Sequence, residues 1–128
     1  MITLVTNIEN SHFEEALTKT KAQKVVFVYE YLDDKDKFKT LFSDLDLPGD
    51  HELEYHHQSP DDLKIASEQL KKILSITFNE SSDIYFALKP GALGLHILEA
   101  AKEFDIKSIK RIYVIQGDKL DDFKACVW

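Results

Sequence analysis

Asp83–Gly94 reads DIYFALKPGALG and runs without a break into the stretch Leu95–Phe104. Ile84, Tyr85, Phe86, Ala87 and Leu88 make an apolar run of strand length, Lys89, Pro90 and Gly91 supply a turn, and helical spacing takes over where the glycines end. The stretch is a βα unit. In an open α/β sheet, ligands gather outside the carboxyl ends of the strands, where a helix N-terminus offers unpaired N–H groups and roughly half a positive charge. These residues therefore point to a fold class and to where a site would lie in it.

Outward from this unit the chain alternates strand and helix. Ile2–Thr6 is a strand, and Ser11 or Asn10 can cap a helix running to about Thr20, with Glu14 and Glu15 placed to favour its dipole. Lys24–Tyr31 is a second strand whose core, Val25–Tyr29, is apolar on both faces, as a central strand covered above and below must be. Asp33–Leu45 follows as a helix with Phe38, Leu41, Phe42 and Leu45 at helical spacing, closed by Pro48-Gly49. In Glu52–Gln58 apolar and polar residues alternate, which marks a strand buried on one face and suits the sheet edge. Ser59 as cap, Pro60 at the first helical position and Asp61-Asp62 behind it start a helix running to about Leu74. Asn79–Ser82 is a polar loop, Arg111–Gln116 a fifth strand, and Leu120–Trp128 a short closing tail. Five mostly parallel strands with helices on both faces predict a single α/β domain over residues 1–128, a Rossmann-like three-layer sandwich. The edge character of the third strand favours the order 3-2-1-4-5 over the flavodoxin-like 2-1-3-4-5.

Composition sets the outer bounds. A chain of 128 residues buries roughly two-thirds of its unfolded surface and needs neither disulfide nor metal to hold a core. Cys126 is the single cysteine, so an internal disulfide and a cysteine-based zinc site are excluded and a reducing compartment fits. Met1–Val5 lacks the basic flank and long apolar core of a signal peptide, and no apolar run approaches the roughly 20 residues of a membrane span. A cytoplasmic location is the expectation. With 23 acidic against 16 basic residues the net charge is −7, and Lys and Arg form no stripe, which speaks against a grip on duplex nucleic acid. A small anion held locally by backbone N–H groups and a lysine is compatible with that charge, and so is a basic protein partner.

The fold brings the loops after the strands to one edge. Asn7, Asn10 and Ser11 follow strand one, and Lys89, Gly91, Ala92 and Leu93 follow strand four, the pair of loops next to the topological switch. Lys89-Pro90-Gly91 either contacts an anion or simply turns the chain. The dinucleotide and P-loop fingerprints both fail, because neither GxGxxG nor GxxxxGK[ST] occurs. His56 and His57 are neighbours on a strand and point to opposite faces, so they cannot chelate one ion together. Asp33-Asp34 is placed to serve the start of a helix or to bind Mg²⁺. No GxSxG elbow accompanies Ser11 and His12, and no receiver-type aspartate follows strand three. No cofactor or metal is expected. Leu95 and Leu98 lie across the helical wheel from Leu93, Ile97, Ala100, Ala101 and Phe104, so that helix is covered twice, by the tail carrying Phe123, Val127 and Trp128 or by a second subunit.

The order strand, polar turn, helix, a VVFVYE strand (Val25–Glu30), an edge strand entering a long helix, and a D-I-Y-F strand (Asp83–Phe86) entering a glycine turn resembles the CARF domains of type III CRISPR defence systems. In that family the loop after strand four reads close to N-L-T-G-G-T-K and clasps the phosphates of a cyclic oligoadenylate across a dimer two-fold. Here Gly91 matches, while Lys89 and the backbone N–H groups of Ala92 and Leu93 stand where the family has its hydroxyl and lysine. The resemblance implies a homodimeric nucleotide sensor. With no effector nuclease domain in these residues, it implies a lone sensor, a ring-opening nuclease that works without metal, or a regulatory subunit. The competing expectation is a non-enzymatic acidic interaction module, an inhibitor or immunity-type factor that binds a basic protein.

Overall fold

The computed structural model describes residues 1–45, 51–58, 63–104 and 106–123. In chain order the elements are β1 (Ile2–Thr6), α1 (His12–Thr20), β2 (Lys24–Tyr29), α2 (Leu32–Asp44), β3 (Glu52–His57), α3 (Leu63–Glu80), β4 (Asp83–Leu88), α4 (Ala92–Ala101), a 3₁₀ turn at Ile106–Ser108, β5 (Ile109–Gln116) and β6 (Lys119–Phe123). The sheet has six strands in the order β3-β2-β1-β4-β5-β6, parallel except for β6. The predicted order 3-2-1-4-5 is present, with β3 at the edge.

Two cores sandwich the sheet, and the alternation of side chains along each strand feeds both. Leu4, Val25, Phe27, Tyr29, Ala87 and Tyr113 pack with Phe13, Ala16 and Leu17 of α1 and Phe38 of α2. Val5, Val26, Val28, Phe86, Leu88 and Ile112 pack with Leu70 and Leu74 of α3 and Ile97, Ala100 and Ala101 of α4. The arrangement is a Rossmann-like three-layer α/β sandwich. Phe38 is the only fully buried residue of α2, stacked on Phe27 at 4.1 Å between centroids and edge-on to Phe13 at 4.8 Å. That aromatic cluster anchors α2 to the sheet.

The three largest differences from the sequence expectation concern α3, α4 and the closing tail. α3 continues past Leu74 to Glu80, because Phe78 stacks on Phe104 at 4.9 Å and Thr77 is buried with its hydroxyl donating to the Ile73 carbonyl at 2.9 Å. Packing there outweighs the weak helix propensity of Ser75-Ile76-Thr77. α4 starts at Ala92 instead of Leu95, so Gly94 belongs to its first turn. The closing tail is in part a sixth strand: Gln116 and Lys119 pair across a two-residue turn that opens on Gly117 at φ 60°, and β6 runs back antiparallel to β5. Leu120 of β6 is buried in the α1 layer, on the face opposite α4. Of the tail residues expected to cover α4, Phe123 ends β6 paired with Ile112, and Val127 and Trp128, like the Ser59-Pro60 helix start, the Pro48-Gly49 turn and Cys126, lie outside the described residues. No helix among the described residues is long and apolar enough to cross a membrane.

Candidate functional site

The central strands β1 and β4 lie side by side, with Thr6 opposite Ala87, so Asn7 and Lys89 leave the sheet together. Asn7 is buried, and its Oδ1 accepts the Lys89 backbone N–H at 2.8 Å. That bond fixes the amide's orientation and leaves Nδ2 as its donor end. It also ties the two strand ends into one rigid edge.

Gly91 turns the chain from β4 into α4. It sits at the N-cap position with φ 136° and ψ −179°, a conformation closed to residues with a side chain, and no atom lies within 4 Å of where a Cβ would be. The first N–H groups of any helix lack intrahelical acceptors, and glycine brings no side chain to cap them here. Ala92 and Leu93, the first two residues of α4, thus bring N–H groups there with no intrahelical acceptor. Gly94, one turn in, serves closeness instead: a Cβ there would stand 2.7 Å from the Lys89 carbonyl oxygen and 3.8 Å from Asn7 Nδ2.

Across from this helix start lie the end of β2 and the head of α2. A cleft of about 170 Å³ between them is lined by Asn7, Lys89, Gly91, Ala92 and Leu93 on one side, and by Glu30, Tyr31 and Asp34 among others on the facing side. Tyr31 occupies the N-cap of α2 in extended conformation, and its carbonyl accepts the Asp34 N–H at 3.1 Å. Tyr31 is 61% exposed. His57 Nε2–H donates to the Glu30 carbonyl at 2.9 Å and its ring lies 5.3 Å from that of Tyr29, so the edge strand braces the loop from below.

The charge of Lys89 is already engaged. Its Nζ is 2.7 Å from Glu9 Oε2 and 4.0 Å from Asp34 Oδ2. With Glu30 nearby, carboxylates outnumber ammonium groups around the cleft, and the electropositive element of the site is the start of α4 together with the Asn7 amide.

Of the residues singled out from sequence, Asn7, Lys89, Gly91, Ala92 and Leu93 come together at the cleft. Asn10 and Ser11 do not line it. Asn10 closes the turn before α1, its Oδ1 accepting the His12 N–H and its carbonyl the Phe13 N–H, both at 3.0 Å, while Ser11 is exposed and makes no side-chain cap. His56 and His57 diverge, paired opposite Val28 and Tyr29, whose side chains feed different layers. Among the described residues no group of three or more His, Cys, Asp or Glu is placed to hold a metal ion. Asp34, read from the sequence as a helix-start residue or an Mg²⁺ ligand, stands with Tyr31 on the facing wall; the signal that picks out Tyr31 is the adjacency of β2 to β1, which makes the β2–α2 loop the wall facing Gly91. No protein-family model matches this chain, and no curated protein is significantly similar to it.

Proposed function

We propose that this chain is a nucleotide-sensing domain that binds an anionic ligand at the cleft between the β4–α4 turn and the β2–α2 loop. The observation that carries the reading is the open, uncapped start of α4 over Gly91, beside the buried Asn7 amide at the central strand edge. A phosphate there receives N–H groups from Ala92 and Leu93 and sits in the field of the helix dipole. Lys89 neutralises Glu9 at the same edge, so the carboxylate does not repel the anion. The likeness to CARF domains makes cyclic oligoadenylates the first ligands to try, with a homodimer as the working form. Ring opening is a further extension of this reading; backbone dipoles support it, with Lys89 and Glu9 as the acid–base pair among the described residues of the cleft edge.

The test isolates a backbone donor. Ala92 is exposed at the first helical position, where proline fits and where its missing N–H costs the helix nothing. Ala92→Pro should leave the unfolding midpoint unchanged or slightly raised, and should weaken binding of a cyclic oligoadenylate about ten-fold, the loss of one hydrogen bond to a charged group. Isothermal titration of rings of each size against both proteins reads this. Binding unaffected by the proline would move the anion away from α4. No binding by the wild-type chain would favour the second reading, an acidic module for a basic protein, whose affinity should fall steeply with salt.

A further inference from the structure

The two walls of the cleft differ in chemistry, and the difference orients the ligand. On the α4 side the groups are donors, the N–H groups of Ala92 and Leu93 and the amide of Asn7. On the α2 side they are an aromatic face and carboxylates, Tyr31 with Asp34 and Glu30. Resting on the nucleotide-sensing reading, we propose that Tyr31 and Asp34 form the base-reading wall: Tyr31 stacks the base and Asp34 accepts a hydrogen bond from its exocyclic amino group.

Tyr31 is unusual among the aromatic residues. Phe13, Phe27, Phe38 and Phe86 are fully buried and Tyr29 is 7% exposed, whereas Tyr31 leaves 61% of its surface to solvent and enters no ring–ring or cation–ring contact among the described residues. Its backbone is nevertheless fixed, because the Tyr31 carbonyl accepts the N–H groups of Asp34 and Lys35 and Phe38 pins that helix to the sheet. A held but unpartnered ring beside a cavity is a stacking platform, and stacking on it is indifferent to base identity.

Identity is then left to the carboxylate. Asp34 is 19% exposed, and at 4.0 Å from Lys89 Nζ, the one cation within that distance among the described residues, it is beyond hydrogen-bond reach, while Glu9 holds the same ammonium at 2.7 Å. An ionised carboxylate only accepts. It therefore favours a base that presents an amino group, such as adenine, and penalises hypoxanthine, which presents a carbonyl oxygen at the same place. The negative wall also turns the phosphate toward α4, so one arrangement of charges sets both the orientation and the base.

The test is titration of adenylate and inosinate rings of each size against the wild type, Tyr31→Ala, Tyr31→Phe and Asp34→Asn. The wild type should prefer the adenylate ring by about ten-fold. Tyr31→Ala should weaken both rings by about ten-fold without altering that preference, and Tyr31→Phe should restore binding. Asp34→Asn should erase or invert the preference, because an amide can donate to hypoxanthine. Variants that bind and discriminate like the wild type would overturn the base wall while leaving the α4 anion site standing. A wild type that binds neither ring, at any size, would overturn both.

Discussion

At Gly94 the absence of one methyl group sets how closely α4 lies against β4. A Cβ would approach the Lys89 carbonyl oxygen to 2.7 Å, and the obstructing atom is backbone of the β4–α4 turn, which cannot swing aside as a side-chain tip would. Gly94→Ala should therefore destabilise the fold by about 1–3 kcal/mol, the usual range for overpacking, despite the better helix propensity of alanine. Urea unfolding checks this, with a lowered midpoint at unchanged slope as the expected result; a stabilised variant would mean that the turn yields freely. Gly91 has the opposite character, with open space around it and a backbone angle that only glycine holds without strain. Both glycines are visible in the sequence as turn signals. Their division of labour is not, because it depends on where the Lys89 carbonyl ends up in three dimensions.

Among the elements, the amino edge of the sheet is pinned by Lys24, which leaves only 4% of its surface exposed and joins β2, β3 and α3. Its Nζ lies 2.6 Å from Glu54 Oε1 and 3.3 Å from Glu80 Oε2. Burial disfavours the Lys24 charge, but the bonds to Glu54 and Glu80 outweigh burial and raise its pKa above 10.5. Burial likewise opposes the Glu54 charge, and the bond from Lys24, aided by His56, outweighs it and lowers the pKa below 4.5. The two signs define a window. The Glu54 share of stability is present above pH 4.5 and is lost as pH falls through the lower folded value; the Lys24 share is present below pH 10.5 and is lost as pH rises through the higher one. Lys24→Met should then cost most near neutral pH, between the ~0.2–1 kcal/mol of an exposed pair and the ~3–5 kcal/mol of a fully buried one. The difference from wild type should shrink or reverse at strongly acid pH, below the lowered Glu54 value, where the carboxylate is protonated and the wild type keeps a buried, poorly paired ammonium group. Denaturation at both pH values measures it, and a pH-independent difference would mean that the lysine stem, not its charge, matters. Lys24 also shows the reach of the sequence at this scale. The apolar runs of β2 and β4 announce central strands, since nothing but two-sided burial suits them. A lysine heading such a run looks like solvent, and its carboxylate partners 30 and 56 residues away are brought to it only by the pairing of β2 with β3 and the full length of α3. The β5–β6 hairpin did carry a local signal, the two-residue Gly117-Asp118 link, but the charged strand that follows it has no apolar run to distinguish it from a tail.

Across the whole molecule, the site is a product of strand order. Asn7, Lys89 and Gly91 are 82 and 84 positions from one another at most, and only the switch that sets β1 beside β4 and β2 beside β1 makes one cleft from three loops. The sequence was sufficient to nominate the β4–α4 turn, because a strand, a turn glycine and a helix are local features; the facing wall at Tyr31 and Asp34 follows from the order 3-2-1-4-5, which the edge character of β3 already favoured, whereas the engagement of Lys89 by Glu9 needed side-chain positions. The same order leaves α4 next to an outer face. Leu95 is 64% exposed, and with Leu98, Gly94 and Val114 it lines an apolar groove of about 300 Å³ that meets the Lys89-Pro90-Gly91 turn. Leu120 does not cover this groove, since it pairs with Ile115 and packs in the other layer. The proposed homodimer gives the groove its cover: two copies related by a two-fold axis would bring each Leu95 onto the other α4 and set the two ligand clefts close together. Leu95→Glu then places like charges face to face in the dimer while disturbing nothing inside a monomer, because the residue is already in solvent. Sedimentation should show the wild type as a dimer and the variant as a monomer, and the unfolding midpoint should rise with protein concentration for the wild type alone. A wild type that sediments as a monomer at every concentration would remove the second copy from the groove, and with it the expectation that a single ligand spans two clefts.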